Sequence, residues 1–355
     1  MSGVTKYGPK GLYSIESFPS LASYPLLAKS LSSLANHSLT RSTWSSYTTA
    51  EKMLQTCCTD TERTLSYPLE QDDILFFIGW LNNRGLSSST ISCYISALRQ
   101  VHLSKGVQPP LLCTDLVNQI LAGKKHIDNT ERKIGPVRIP VTPTLLRILK
   151  LQISLDPTIC QHDRVLLWFV CSLAFHGSFR MGELLSRKTL IFDPNYSLLQ
   201  RDVRCKGTEI NGIKVNFIQI SLKSTKTSAT TTTVVDVFPT NNDICPLKAY
   251  TKWSKVITET PSLPAFQLRS GKLLTGTFLN KKLKFWLADY LDFSKTSVSG
   301  HSFRAGLVSV LGSLGFEDHN LKTIGRWSSR AFELYTKLPR TKRLAMAKAM
   351  GDLNI

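Results

Sequence analysis

A chain of 355 residues is long enough for two domains with separate cores, and its 42% of hydrophobic residues is ordinary for globular chains. Its formal net charge of +19, from 44 Lys+Arg against 25 Asp+Glu, argues for a polyanionic partner, most simply nucleic acid; the plainer alternative is a merely basic or ribosomal surface. No basic amphipathic helix favours an anionic membrane, no long apolar run predicts a membrane span, and the first residues, with Lys6 and Lys10, lack the apolar region of a signal peptide.

Residues 1–35, rich in Ser, Pro, Tyr and Gly, read as an N-terminal arm with a short helix at 26–34. Residues 36–125 read as a compact domain of four helices. In the first, which begins near Leu39, Trp44, Tyr47, Met53 and Leu54 fall on one face. Asp72 and Asp73 sit at the positive end of the second, which Asn82-Asn83-Arg84-Gly85 stops. Ser88, Ser89 and Thr90 supply caps for the third, where Ile91, Tyr94, Ile95, Leu98 and Val101 repeat at helical spacing. Pro109-Pro110 separates it from a fourth at 111–121. The polar, basic stretch after Gly123, assigned as a linker over 126–141, has no apolar period. The charges of Lys124, Lys125 and Lys133 suit a strap across a DNA backbone, or only solubility.

The second domain, 142–355, opens with Thr142-Pro143, an N-cap followed by proline at the first helical position. Helices are expected through Leu151, over 163–176, from Cys245-Pro246, over 277–291, and near 340–350. Segments 197–205, 215–222 and 231–238 are β-branched or alternating and predict a small antiparallel sheet. The eight cysteines form no C-x-x-C pair and no zinc spacing with histidine, so free thiols in a reducing compartment are expected, and neither a metal nor a cofactor site.

Two stretches bear on chemistry. Around His301 and Arg304, a helix beginning at Ser302 would aim both side chains and its free N–H groups at one anion. Gly325-Arg326-Trp327 and Tyr335 follow, able to fold back over the same point. A tyrosine among cations is a route to phosphodiester cleavage, because a hydroxyl of pKa near 10 needs positive neighbours or a base in order to attack. Earlier, Arg180 and Glu183 stand in an R-x-G-E loop after Gly177, where a carboxylate can hold the guanidinium fork towards phosphate oxygens. The plain alternative is a surface ion pair three residues apart, which is common and weak.

This order of R-x-G-E, a hairpin lysine, H-x-x-R, G-R-W and a terminal tyrosine resembles the tyrosine recombinase (phage integrase) family. Within it the chain most resembles the eukaryotic transposon recombinases of the DIRS, Ngaro and Crypton type. Trp327 stands eight residues before Tyr335, where most bacterial members have a second histidine, and the Ser224–Thr227 turn and the Cys245-Pro246-Leu247 helix start are similar too. The resemblance covers about residues 142–340 strongly and the helical half more weakly. It implies a mainly α protein: an N-terminal four-helix core-binding domain, then an α+β catalytic domain with a small antiparallel sheet.

The resemblance also implies roles. Tyr335 is the nucleophile that forms a 3′-phosphotyrosine. Arg180 and Arg304 bind the non-bridging oxygens, and Lys226 protonates the leaving 5′-oxygen, with Lys223 as the alternative. His301 assists proton transfer at the tyrosine or hydrogen-bonds the phosphate, Trp327 donates its indole N–H or buttresses the pocket, and Glu183 orients Arg180. Religation then requires neither ATP nor metal. Each residue has a blander alternative: Tyr335 packing a terminal helix, His301 capping one, Trp327 in the core. His319 and Arg326 match no catalytic position and read as surface or DNA-backbone contacts, and His176 as a helix end.

By the same resemblance Arg41, Thr43, Ser88, Ser89, Thr90 and Arg99 face double-stranded DNA, and the two domains clamp it. Such contacts give affinity and salt sensitivity without sequence choice. The implied assembly is a tetramer on two DNA sites, a dimer per site, with no membrane, in the nucleus; the helix bearing Leu344, Met346 and Met350 docks on a neighbour or on its own domain. The implied function is site-specific recombination, as in transposon integration or excision. A domesticated, non-catalytic DNA-binding regulator and a type IB topoisomerase are the alternatives.

Overall fold

The computed structural model describes residues 23–38, 41–105, 107, 115–131, 136–194, 197–223, 232–327 and 333. The chain divides into two units, Met1–Lys133 and Ile134–Ile355.

The described part of the first unit is helical: α1 (Pro25–His37), α2 (Arg41–Thr61), α3 (Gln71–Asn83), α4 (Ser88–Ser104) and α5 (Asp115–Thr130). Helix α4 packs against α2, α3 and α5, and its expected apolar face supplies Ile91, Ile95 and Leu98 to a core shared with Leu54, Phe77, Leu81 and Val117. The cap of α4 lies one residue earlier than expected. Ser87 accepts the Thr90 N–H, so Ser88, Ser89 and Thr90 form the first helical turn. Helix α5 also differs from expectation: it continues through Lys124, Lys125 and His126 to Thr130, where the sequence reads as linker. The reason is polar support. Lys124 pairs with Asp128 one turn on at 2.9 Å, and Asp128 also accepts the backbone N–H of Ser88.

The second unit opens with β1 (Val137–Arg138), followed by α6 (Pro143–Leu155) and α7 (Gln161–His176). The Thr142 hydroxyl caps α6 as its sequence requires, accepting the Leu145 N–H at 3.2 Å. Helix α7 is buried continuously from Leu166 to Phe175, the mark of a central helix with no solvent face. It is flanked by α6, by α8 (Met181–Leu184), by α9 (Pro246–Ser254) and by α11 (Gly300–Leu314). Helix α10 (Gly276–Trp286) contacts α6 and α11, and α12 (Asp318–Ile324) lies against α11.

The sheet is antiparallel in the order β2 (Val203–Ile210), β3 (Ile213–Leu222), β4 (Thr233–Val237). Its first strand starts later than the expected 197–205. Residues 200–202 form a 3-10 turn in which Asp202 accepts the Leu199 N–H at 2.9 Å and the Gln200 N–H goes to Leu263. Asn211 and Gly212, both at positive φ, make the tight turn between Ile210 and Ile213, a dipeptide whose backbone preference suits a two-residue hairpin. A second small sheet pairs β1 in parallel with β5 (Thr296–Ser297), just before α11. No described helix is long and apolar enough to cross a membrane, and the described cysteines are unpaired. The arm before residue 23 and the expected helix near 340–350 lie outside the described residues.

One buried histidine makes the first unit sensitive to pH. His102 is fully buried on α4; its Nδ1 lies 2.7 Å from the Leu98 carbonyl, and its Nε2 accepts the Leu69 N–H at 3.0 Å. Both bonds together require the neutral ring. Burial lowers its pKa below the ordinary value, the Leu98 carbonyl acts in the opposite sense, and Lys105 lowers it further. Because the unfolded chain binds this proton at a higher pH than the folded one, the stability contribution is complete above about pH 6.5. It is lost as the pH falls from there through the folded value. The protection factor of the Leu69 amide, exchange measured relative to the intrinsic rate at each pH, is expected to drop on acidification over that window, and His102→Gln is expected to flatten the dependence.

Candidate active site

The site is built where α7 ends. After His176 the chain turns through Gly177 and Ser178, the latter in left-handed backbone (φ 48°), and returns Phe179 to the core. The turn sets Arg180 at the N-cap of α8. The Arg180 backbone N–H donates to Glu183 Oε2 at 3.0 Å, and its guanidinium Nη1 donates to Oε1 at 2.8 Å. Glu183 is 5% exposed, so the pair is no solvated surface bridge.

Helix α11 brings the second arginine. Its N-cap is Ser299 and it begins at Gly300, two residues before the expected start. The Gly300 N–H is taken by Asn280 Oδ1 at 3.1 Å. A Cβ on Gly300 would lie 2.1 Å from Met181 Cγ, so only glycine lets α11 start this close to α8. That approach brings the neighbours His301 and Arg180 to the same end of the unit. His301 is exposed on the first turn. One turn on, Arg304 is 5% exposed; its Nη1 donates to the Ser178 carbonyl at 3.1 Å and lies 3.9 Å from Glu183 Oε1. Its Nη2 donates to the carbonyls of Gly325 and Arg326.

The third arginine has a different place from the one its sequence suggests. Arg326, read there as a surface or DNA-backbone residue, is 18% exposed and points inward. Its Nη2 donates to Glu183 Oε2 at 2.9 Å and to the Ser178 carbonyl at 3.1 Å, and its Nη1 donates to the Gly177 carbonyl at 2.8 Å. The guanidinium carbon lies 4.8 Å from the Phe179 ring centroid. Burial lowers its pKa, Glu183 opposes that, and Arg180 adds repulsion; an arginine nevertheless stays charged. The only sequence signal for it is its place between Gly325 and Trp327, because its partners lie some 145 residues away.

Trp327 is half-buried. It packs against the cluster of Val308 and Leu321, and the Arg304 guanidinium carbon sits 4.5 Å from its ring centroid. The ring therefore serves both core and site, stacking on a cation already held by carbonyls. Three guanidiniums against one carboxylate leave this largely buried cluster two charges positive, an arrangement that favours an anion. Among the described residues no group of His, Cys, Asp and Glu is placed to hold a metal.

Of the other expected site residues, Lys226, Tyr335 and Lys133 lie outside the described residues. Lys223, the alternative acid, is engaged: its ammonium donates to the Pro194 carbonyl at 2.7 Å and pairs with Asp202 at 3.1 Å. His319 is exposed on α12 beside Glu317, and His176 ends α7 with Nδ1 at the Ser172 carbonyl. In the first unit Arg41 opens α2, Thr43 follows half-buried, and Ser89, Arg99 and Lys125 are exposed. Ser88 and Thr90 are half-buried, and Lys124 is paired with Asp128. Ser88, expected to face DNA, gives its backbone N–H to Asp128. That carboxyl is held down at about 2, chiefly by the Ser88 N–H and then by Lys124.

No protein-family model matches the chain, and no curated protein matches it in sequence. Solved structures do match in fold. A XerH site-specific recombinase bound to palindromic difH substrate, in a post-cleavage complex, superposes with a TM-score of 0.54 at 12% identity, covering 85% of this chain and 76% of that one. A Tn1549 transposon integrase in complex with a circular intermediate DNA superposes with a TM-score of 0.52 at 13% identity, covering 84% and 92%. The same integrase with transposon right end DNA gives 0.50 at 14% identity, covering 86% and 92%. The chain has the fold of the tyrosine recombinases: mainly helical, with a small antiparallel sheet.

Because Glu183 is, among the described residues, the only carboxylate paired with the three guanidiniums, its neutral replacement leaves mutual repulsion in a buried place. Glu183→Gln is expected to destabilise the second unit by about 3–5 kcal/mol, read from urea denaturation. The loss should shrink at high salt only slightly, because buried charges are screened weakly.

Proposed function

We propose that the chain is a site-specific DNA recombinase that cuts and rejoins DNA through a 3′-phosphotyrosine bond. The observation that carries the reading is the buried, net-positive cluster of Arg180, Arg304 and Arg326 around Glu183 at the start of α11. It lies on a fold shared with recombinases solved on DNA, in a chain of net charge +19. A phosphoryl transfer without a metal needs fixed cations aimed at the oxygens where charge develops.

In this reading one duplex phosphate lies against Arg180, Arg304 and the first turn of α11. The Tyr335 oxygen attacks phosphorus and its proton passes to His301 or to solvent. The bond to the 5′-oxygen breaks, and Lys226 gives that oxygen a proton. The engagement of Lys223 with Asp202 and Pro194 favours Lys226 for this step. Trp327 holds Arg304 from the side and offers its N–H to the phosphate. Rejoining reverses the sequence with a new 5′-hydroxyl, and the phosphotyrosine conserves the energy of the broken bond. The first unit grips the duplex with Arg41, Thr43, Ser89, Arg99 and Lys125. The reading extends to a tetramer on two sites, a nuclear location, and transposon integration or excision in the DIRS, Ngaro and Crypton manner, supported by tryptophan in G-R-W.

Nicked suicide duplexes carrying candidate sites are expected to yield a denaturant-resistant protein–DNA adduct, and Tyr335→Phe to yield none. Adduct from that variant would refute the nucleophile. No adduct on any DNA would favour a binding regulator, and relaxation of any supercoiled plasmid without recombinants a topoisomerase.

Replacing Lys226 by Ala is expected to slow cleavage of ordinary DNA by about 10²–10⁴-fold. A 5′-thiol leaving group, which needs no proton, should recover the rate. Rescue of Lys223→Ala instead would move the acid to Lys223.

A further inference from the structure

We propose that Arg326 is the resident counter-ion of Glu183, a positioning residue whose charge leaves Arg180 available to the phosphate. The inference rests on the recombinase reading above.

Glu183 has two opposing effects. Its carboxylate relieves repulsion among the guanidiniums, and through two contacts it fixes the Arg180 loop. The same negative charge repels an incoming phosphate, and any arginine bound to it is partly spent. A carboxylate with Arg180 as its sole partner would have to lose that partner, and be left charged and buried, whenever Arg180 turned to substrate.

Arg326 removes the conflict. It approaches Oε2, whereas the Arg180 guanidinium uses Oε1, so both are held at once, at 2.9 and 2.8 Å. Both terminal nitrogens of Arg326 are committed to protein acceptors: Gly177 O, Ser178 O and Glu183. The Phe179 ring covers its carbon. It is therefore poorly placed to leave. Arg180 has the most exposed side chain of the three, at 23%, whereas Arg304, 5% exposed, is itself held by the carbonyls of Ser178, Gly325 and Arg326. When Arg180 moves to a phosphate oxygen, Glu183 keeps a full cation at hydrogen-bond distance. Arg326 also holds left-handed backbone, φ 52°, which a residue with a side chain adopts only when its contacts outweigh the strain. Those contacts tie the Gly325-Arg326-Trp327 turn to the Gly177-Ser178 turn, so one side chain sets both the charge and the spacing of the two arginine-bearing segments.

The test is single-turnover adduct formation on a suicide duplex, beside DNA affinity, with the full chain. Arg326→Met is expected to slow adduct formation on the order of a hundredfold with DNA affinity little changed. Arg326→Lys, which keeps the charge and loses the fork, should fall between it and the unaltered protein. The decisive variant is Glu183→Gln/Arg326→Met, which removes both charges. It is expected to form adduct at least about tenfold faster than Arg326→Met alone, the coupling of neighbours that share one function. If Arg326→Met fails to fold, a folded and cleaving double variant supports the proposal equally. It is overturned if Arg326→Met cleaves normally, or if the double variant is as slow as Arg326→Met or does not fold. If the unaltered protein forms no adduct, the recombinase reading itself has failed, a separate result.

Discussion

One carboxylate shared among three guanidiniums organises the second unit. Glu183 comes from the short helix after α7, Arg304 from α11, and Arg326 from the turn after α12. Like charges brought this close inside a protein repel strongly unless an opposite charge lies among them. Glu183 supplies that charge, and the carbonyls of Gly177, Ser178 and Gly325 supply the remaining acceptors. The cluster is held mostly by protein groups, though the buried Nε of Arg326 has no hydrogen-bond partner among the described residues, and it is still positive. It is thus built by the chain itself, and in the proposed reaction a cluster so fixed costs no reorganisation when charge develops.

The scaffold around it meets this demand through packing. Helix α7 is buried on every side from Leu166 to Phe175, so its C-terminal turn is a rigid place to hang Arg180. Gly300 lets α11 press against Met181, which sets His301 and Arg304 at the same end. The parallel pair of β1 and β5 fixes the strand that leads into α11. Trp327 then joins the electrostatics to the core, with Arg304 against its ring and Val308 and Leu321 in packing contact. A site on such elements holds its geometry better than one assembled from loops alone.

The first unit shows how a polar sequence can mislead. The segment around Lys124 has no apolar period, yet it is helical because Asp128 pairs with Lys124 and caps the start of α4. The carboxylate therefore occupies a helix N-terminus that a phosphate would otherwise suit. The Ser88 amide is thereby occupied, while Ser89, Arg99 and Lys125 remain exposed.

By itself the sequence determined the fold class and most of the secondary structure, because these follow from local periodicity, caps and turn residues: the face of α4, Thr142-Pro143 at α6, and Asn211-Gly212, whose hairpin signal was there to be used. It also marked Arg180, Glu183, His301, Arg304 and Trp327 by spacing, since each pair or triplet lies within one turn of chain. Tertiary structure alone decided that these scattered pieces share one carboxylate, that Lys223 belongs to Asp202, and that Arg326 faces inward. No periodicity encodes a contact between Arg326 and a loop some 145 residues earlier. That contact joins a largely buried guanidinium to acceptors in the Gly177-Ser178 turn and on Glu183, which the packing of α7, α11 and α12 brings within reach.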